Sequence, residues 1–162
     1  MSHTNIIGLY CVLTGEANID TDIPEMEIPS TVMHEMAHQH GFAREDEANY
    51  ISWLVCMSHP DPAFRYSGSV LALQYAMNAL YSVDPDKYFE LAKTYSTDVY
   101  NDFRNQQTYW KQFQGTAKKI ANQMNDTYLK LNGQTDGVQS YGRMVDLLLA
   151  ERRKMLASKY QY

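Results

Sequence analysis

The stretch that most constrains this chain is an H-E-x-x-H motif formed by His34, Glu35 and His38. On a helix, residues four apart lie one turn apart on the same face, so His34 and His38 can present two imidazole nitrogens to one metal ion. Glu35 lies beside that face, where its carboxylate can take a proton from a water activated by the metal. Zinc is the expected ion, because catalytic zinc sites combine such ligands with a position open to water.

A third protein ligand is expected close to the motif, since catalytic zinc usually has three. Gly41 is suited to end the first helix in a left-handed conformation. A second helical pattern begins near Arg44 and carries three acids in its first turn, Glu45, Asp46 and Glu47. Negative charge is favoured there by the helix dipole, so any of the three has a plain structural explanation. One of them can also reach back to the metal across the short turn.

The pattern around these acids resembles the gluzincin class of zinc peptidases, which includes thermolysin, aminopeptidase N and the CAAX prenyl proteases. In that class the third ligand is a glutamate on a second helix, commonly followed by a small residue three positions on and a polar residue four positions on. Glu45, Ala48 and Asn49 fit this pattern. The resemblance implies Glu45 as the third ligand, with Glu47 as the reserve candidate. It implies that Asn49 supports one of the two metal-binding histidines.

The spacing departs from better-known arrangements in two ways. The gap between His38 and Glu45 is much shorter than in thermolysin and leaves room only for a tight helical hairpin. The other short-gap pattern, the metzincin H-E-x-x-H-x-x-G-x-x-H, matches at Gly41 but fails at Arg44, where a histidine or aspartate is required. An isolated H-E-x-x-H also occurs by chance on exposed helices. The metal-site interpretation is favoured here because the motif is followed by E-x-x-A-N at a compatible distance.

A wider resemblance covers most of the chain. The segments GEAN (residues 15–18), HEMAHQHGFAREDEAN (34–49) and NDTYLKLNGQTDGVQSYGRMVDLLLAERR (125–153) are together similar to a group of bacterial gluzincin-like proteins with transmembrane helices before the peptidase domain. This resemblance implies that the chain is the catalytic part of a longer, membrane-anchored protein. It also implies a distant residue that stabilises the oxyanion, for which Tyr141 and Arg143 are candidates. Tyr141 has a competing interpretation as a core aromatic residue on an apolar helix face.

The remaining pattern predicts a mainly α fold, a zincin-like helical domain of six to seven helices with a small N-terminal β element. Residues 6–13 are predicted as a strand that extends as a ribbon through residues 16–19, followed by a loop over residues 20–29. Pro29 or Ser30 opens the first helix, with Ser30 as its N-cap. Further helices are predicted over about residues 44–58, 63–82, 85–114 with a joint near 96–97, 116–131 and 138–157. Aromatic residues recur at helical spacing along residues 85–114, which favours a core role.

The composition limits the possible classes of protein. The 162 residues, 44% hydrophobic and 20% charged, are typical of one globular domain. A net charge of −5 argues against non-specific nucleic-acid binding. No stretch approaches the roughly 20 apolar residues of a membrane span, and no signal peptide is visible. The two cysteines form no metal-binding motif, and Cys56 lies in an apolar run that predicts a buried thiol.

These patterns together predict a single zinc-peptidase-like domain over residues 1–162 that hydrolyses peptide bonds in a peptide or protein substrate. His34, His38 and Glu45 hold Zn²⁺, and Glu35 acts as general base before handing the proton to the leaving amine. The alternative is a catalytically silent metal-binding sensor or partner-binding module of a membrane signalling protein. A third hypothesis is a purely structural helical domain. The intact Glu35 favours the enzyme, because metal binding alone does not require a base.

Overall fold

A small sheet followed by helices makes up the described part of the chain. The computed structural model describes residues 6–113 and 143–159. The strands are β1 (Gly8–Cys11) and β2 (Glu16–Ile19), and the helices are α1 (Ile28–Gln39), α2 (Glu45–Ser58), α3 (Pro62–Val83), α4 (Pro85–Ala92), α5 (Thr97–Lys111) and α6 (Arg143–Lys159). The predicted mainly α fold with a small N-terminal β element is confirmed, with six helices within the described residues.

Some predicted features lie outside the described residues. They are the helix over residues 116–131, the first residues of the helix over 138–157, and Tyr141. In the part of the chain that is described, no helix is both long enough and apolar enough to cross a membrane.

The two strands form an antiparallel hairpin that packs against α1. Gly8 pairs with Ile19 at its open end, and Gly15 lies in the turn that connects the strands, with a φ of 72°. A positive φ is accessible to glycine at little cost and disfavoured for other residues. Gln39, the last residue of α1, donates its amide N–H to the carbonyl of Gly15 at 2.7 Å. This bond holds the tip of the hairpin to the C-terminal end of α1.

Helix α1 ends in the turn that the sequence predicts at Gly41, whose φ is 97°. The N–H of Gly41 donates to the carbonyl of His38 at 3.0 Å, and the N–H of Phe42 donates to the carbonyl of Ala37 at 3.1 Å. These two bonds form a Schellman motif, which satisfies two of the last carbonyls of the helix and reverses the chain. The start of α2 is thereby returned to the C-terminal half of α1.

Three buried serines join α1, α2 and α3. Ser52 of α2 donates to the carbonyl of Ser30 at 2.6 Å. Ser67 of α3 donates to the hydroxyl of Ser30 and accepts from its backbone N–H, each at 3.0 Å. The prediction of Ser30 as the N-cap is therefore wrong. Helix α1 begins earlier, after Glu27, because Pro29 fits the first turn, where its missing N–H is not needed.

Helices α2 and α3 approach closely at Gly68. A Cβ added to Gly68 would lie 2.6 Å from the Cβ of Cys56, so only glycine fits this contact. Cys56 is fully buried, as predicted, and burial raises the pKa of its thiol to about 11. The thiol therefore remains protonated and packs as an apolar group.

The aromatic residues of α4 and α5 do not form a core, which corrects the prediction. No residue of either helix is buried, and Phe89 is 54% exposed. The rings contact one another at the surface, and two of them make polar contacts as well: Trp110 donates its ring N–H to Glu27 at 3.2 Å, and the Tyr109 hydroxyl donates to the carbonyl of Asp22. Helical spacing shows which rings share a face, but rings with a polar end can cover a surface without being buried.

Candidate metal centre

His34, His38 and Glu45 meet in one cluster between α1 and the start of α2. The Nε2 atoms of His34 and His38 are 3.0 Å apart. The Glu45 carboxylate reaches both rings, with Oε2 at 3.2 Å from His34 Nε2 and Oε1 at 3.5 Å from His38 Nε2. The three side chains are only 14–17% exposed, so an ion at their centre would be shielded from bulk water. They form a group that could hold a metal ion.

The acids that follow Glu45 have other partners. Asp46 is buried, and its two oxygens accept hydrogen bonds from Arg44 Nε at 3.1 Å and Nη2 at 2.8 Å. Glu47 has a side chain that is 47% exposed and lies 3.5 Å from the same Arg44 Nε. The structure therefore brings Glu45 to the histidines, while Asp46 and Glu47 pair with Arg44. Glu47, the reserve candidate, is not in the cluster.

The backbone carbonyl of Phe42 fixes the orientation of His38. It lies 2.7 Å from His38 Nδ1, and because a carbonyl only accepts, Nδ1 must carry the proton of this bond. In the neutral ring, Nε2 then presents its lone pair to the cluster, as a metal ligand must. The sequence does not point to Phe42, since the contact involves its backbone. Gly41 predicts the chain reversal, and the contact between this carbonyl and the ring appears only in the folded structure.

Asn49 is buried one turn beyond Glu45 on α2. His38 Nδ1 already donates to the Phe42 carbonyl, so Asn49 is not needed as its partner. Two buried polar atoms lack a hydrogen-bond partner among the described residues, and they are His34 Nδ1 and Asn49 Nδ2. Asn49 and His34 form no hydrogen bond with each other in the structure, so the support of a histidine by Asn49 stays a prediction. His34 is the histidine whose Nδ1 has no partner among the described residues.

Attraction between the Glu45 carboxylate and the two histidines shifts the pKa values of Glu45 and His38. Burial disfavours the ionised form of Glu45, but hydrogen bonds and charge from His34 and His38 outweigh it and lower its pKa to about 2. Burial also disfavours protonated His38, and the hydrogen bond and charge of Glu45 outweigh that effect and raise the His38 pKa above its ordinary value. Glu45 is therefore anionic at neutral pH. A cation that binds here would compete with a proton for His38 Nε2.

Glu35 lies beside the cluster and is not part of it. Its side chain is buried, and burial raises the pKa of its carboxyl, against the opposing charges of His34 and His38. The backbone N–H of Tyr10 in β1 is hydrogen-bonded to the same carboxylate. Glu35 is thus held between the strand and the helix, within electrostatic reach of all three members of the cluster. The arrangement combines three potential metal ligands with a separate carboxylate that can exchange a proton.

Arg143, the remaining described candidate, is the first residue of α6. That helix packs against α2 and α3, with Met144 fully buried and the Tyr50 hydroxyl of α2 donating to Glu151 at 3.4 Å. Tyr141 lies outside the described residues. The structure therefore brings the three predicted ligands and Glu35 together, and places Arg143 on a helix that supports α2.

Comparison with known proteins assigns the chain to a family. No curated protein and no solved structure matches the chain. The family DUF3810, described as a protein of unknown function, matches residues 1–149. This range includes the hairpin, all three members of the cluster, Glu35 and Arg143. Because the match covers most of the chain, the protein belongs to the DUF3810 family.

Proposed function

We propose that this protein is a zinc metallopeptidase, a hydrolase that cleaves peptide bonds in a peptide or protein substrate. The observation that carries the proposal is the cluster of His34, His38 and Glu45 with the buried carboxyl of Glu35 beside it. Two imidazoles and one carboxylate are a known ligand set of catalytic zinc, and a glutamate next to the first histidine is the base that accompanies it.

The spacing of the donor atoms supports zinc as the ion. Zinc bonds to nitrogen and oxygen are about 2.0–2.2 Å long, so two ligands of a tetrahedral site lie about 3.3 Å apart. The two imidazole Nε2 atoms are 3.0 Å apart, and each lies close to a different oxygen of the Glu45 carboxylate, His34 at 3.2 Å from Oε2 and His38 at 3.5 Å from Oε1. Such a set leaves one position for water or substrate. When bound, zinc would act as a Lewis acid toward the scissile carbonyl and the attacking water.

Glu35 is the general base in this proposal. Burial raises the pKa of its carboxyl, which makes the ionised carboxylate a stronger proton acceptor than an exposed glutamate. A carboxylate oxygen takes a proton from the attacking water and later gives it to the nitrogen of the leaving amine. The bond from the Tyr10 N–H holds the carboxylate in one orientation, so less freedom is lost when the reaction begins.

Asn49 is proposed to orient His34. When His34 binds an ion through Nε2, its Nδ1 carries the ring proton and needs an acceptor. His34 Nδ1 and Asn49 Nδ2 are both buried without a partner among the described residues. A half-turn of the Asn49 amide exchanges its nitrogen for an oxygen, and that oxygen would supply the acceptor.

Substrate binding and membrane attachment are proposed from the resemblance to gluzincins. An edge strand beside the zinc helix pairs with extended substrate in such peptidases, and β1 is the strand that contacts Glu35 here. Tyr141 or Arg143 would stabilise the oxyanion. The resembling bacterial proteins carry transmembrane helices before this domain, so we propose that it works at a membrane.

A metal-binding module without turnover is the second candidate, and one observation favours it. The Glu35 carboxylate already accepts a hydrogen bond from the Tyr10 N–H, a role that ties β1 to α1 and needs no proton transfer. In that case the cluster would bind its ion for sensing or partner binding within a membrane signalling protein. The two candidates differ in whether peptide bonds are broken.

A peptide-library cleavage assay tests the proposed function. The zinc-loaded chain is incubated with a mixed-sequence peptide library, and new termini are identified by mass spectrometry. We expect cleavage that a zinc chelator abolishes and that added zinc restores. A protein that holds zinc in the cluster but produces no new termini would support the silent module instead.

A further inference from the structure

Gly8 in strand β1 lies directly against the carboxylate of Glu35. A Cβ built on Gly8 would lie 2.2 Å from Glu35 Oε1, 2.5 Å from its Cγ and 2.6 Å from its Cδ. These separations are far shorter than van der Waals contact. Glu35 therefore occupies the space that any other residue at position 8 would need. By contrast, a Cβ on Gly15 or Gly41 would meet nothing within 4 Å.

The three atoms nearest to a Cβ at position 8 all belong to the Glu35 side chain, and none belongs to the strand. Gly8 is not among the described glycines with a positive φ, so alanine fits its backbone without strain. The atoms in the way form the outer part of a flexible side chain, which moves at a lower cost than backbone does. A larger residue at position 8 would therefore leave β1 able to form and would displace the carboxylate.

The pairing of the strands directs the Tyr10 N–H toward the same carboxylate. Asp20 donates its backbone N–H to the carbonyl of Ile7. In an antiparallel pair this means that Ile7 and every second residue after it direct their backbone N–H and C=O groups toward β2. The intervening Gly8 and Tyr10 direct their backbone polar groups to the opposite edge. There the Tyr10 N–H bonds to Glu35. One strand thus supplies both the space and the donor that locate this carboxylate.

We infer that Gly8 is a positioning residue for Glu35, because the missing side chain at position 8 lets the carboxylate sit against the Tyr10 N–H and beside the metal cluster. The catalytic consequence rests on the proposed function, in which Glu35 is the base. The placement of the carboxylate does not depend on that proposal. A misplacement of about 1 Å near a reacting centre costs about 10²-fold in rate.

Gly8→Ala is expected to retain zinc and to lower kcat about 10²-fold with little change in KM, because the ligands are untouched and only the base moves. Gly68→Ala is the matched control, since its Cβ would meet Cys56 at 2.6 Å, at the contact between α2 and α3. We expect this control to lower Tm and to keep the wild-type kcat. A wild-type kcat in Gly8→Ala, or loss of its zinc, would overturn the inference.

Truncating Glu35 tests whether the two residues act together. Glu35→Ala removes Cγ, Cδ and Oε1, the three atoms that a Cβ at position 8 would meet. Gly8→Ala should therefore lower Tm much less in the Glu35→Ala background than in the wild type. General damage to the strand would instead have the same effect in both backgrounds. Equal losses of Tm in the two backgrounds would contradict the inference. If Gly8→Ala alone does not fold, the inference requires that Glu35→Ala restores folding, and a double variant that stays unfolded would contradict it.

Hydrogen exchange at the Tyr10 amide tests the position of the Glu35 carboxylate without an activity assay. In the zinc-free chain, Gly8→Ala should speed exchange at Tyr10 and leave Leu9, whose amide faces β2, protected. Faster exchange at Tyr10, together with a wild-type protein that cleaves no peptide, would support the positioning by Gly8 and reject the proposed hydrolysis. Unchanged exchange at Tyr10 in a protein that does cleave peptides would reject the positioning alone.

Discussion

Replacing Glu35 with Gln should leave the zinc content of the protein unchanged and lower kcat for peptide cleavage by about 10²–10⁴-fold. Glutamine has nearly the same shape and keeps an oxygen that can accept the hydrogen bond from the Tyr10 N–H. It cannot take a proton from water at neutral pH. The variant therefore removes the proposed chemistry of Glu35 and retains its structural role. Metal content, Tm and kcat are measured on the same preparation.

Glu27→Gln is the matched control for this variant. Glu27 precedes α1, accepts hydrogen bonds from Gln106 and Trp110, and has a carboxyl whose pKa is also raised by burial. It lies outside the cluster, so its replacement should leave kcat unchanged. An active Glu35→Gln protein would show that Glu35 is not the base. Loss of zinc together with activity would show that Glu35 was assigned the wrong role.

Replacing Glu45 with Ala should weaken zinc binding by more than the roughly 10–100-fold typical of a supporting residue, because it removes a direct ligand. Glu47→Ala should leave zinc affinity nearly unchanged. The two acids are two residues apart, yet only Glu45 lies within 3.5 Å of both histidine Nε2 atoms, while Glu47 lies at Arg44. Competition with a chelator of known affinity measures both variants under the same conditions.

Asn49→Ala should weaken zinc binding about 10–100-fold, which is less than the loss in Glu45→Ala and more than the loss in Glu47→Ala. Asn49→Asp should bind zinc at least as well as wild type, because a carboxylate also accepts a bond from His34 Nδ1. If Glu47→Ala weakened binding as strongly as Glu45→Ala does, the ligand assignment would have to move by two residues. If Asn49→Ala bound like wild type, the support of His34 by Asn49 would be rejected.

Most of the cluster of His34, His38 and Glu45 is predictable from the sequence, because the two histidines and the turn after them depend on short-range geometry. The four-residue spacing of His34 and His38 gives one helix face, and Gly41 gives the reversal that returns α2 to that face. The acids Glu45 and Glu47 differ by about 200° around the helix, so only one of them can point at the histidines. Local rules therefore indicate the two histidines, the turn and a single acid after it, and the resemblance to gluzincins selects Glu45 as that acid.

Contacts between distant segments were not predictable in this way. The local sequence predicts Ser30 as an N-cap, yet Ser30 is hydrogen-bonded to Ser67 of α3 and is buried with it. Nothing near Gly8 in the sequence indicates that Glu35, 27 positions away, fills the space beside it. The carbonyl of Phe42 has no sequence signal, because its residue type is irrelevant to the bond it makes. Each of these contacts depends on how the elements pack.

The metal content of the purified chain tests the central claim most directly. Elemental analysis of the wild-type protein should find about one zinc per chain, because the cluster provides the three ligands of one catalytic site. The double variant His34→Ala/His38→Ala should contain none, while remaining folded by circular dichroism. A wild-type protein that takes up no zinc, or a double variant that keeps its full content, would contradict the account.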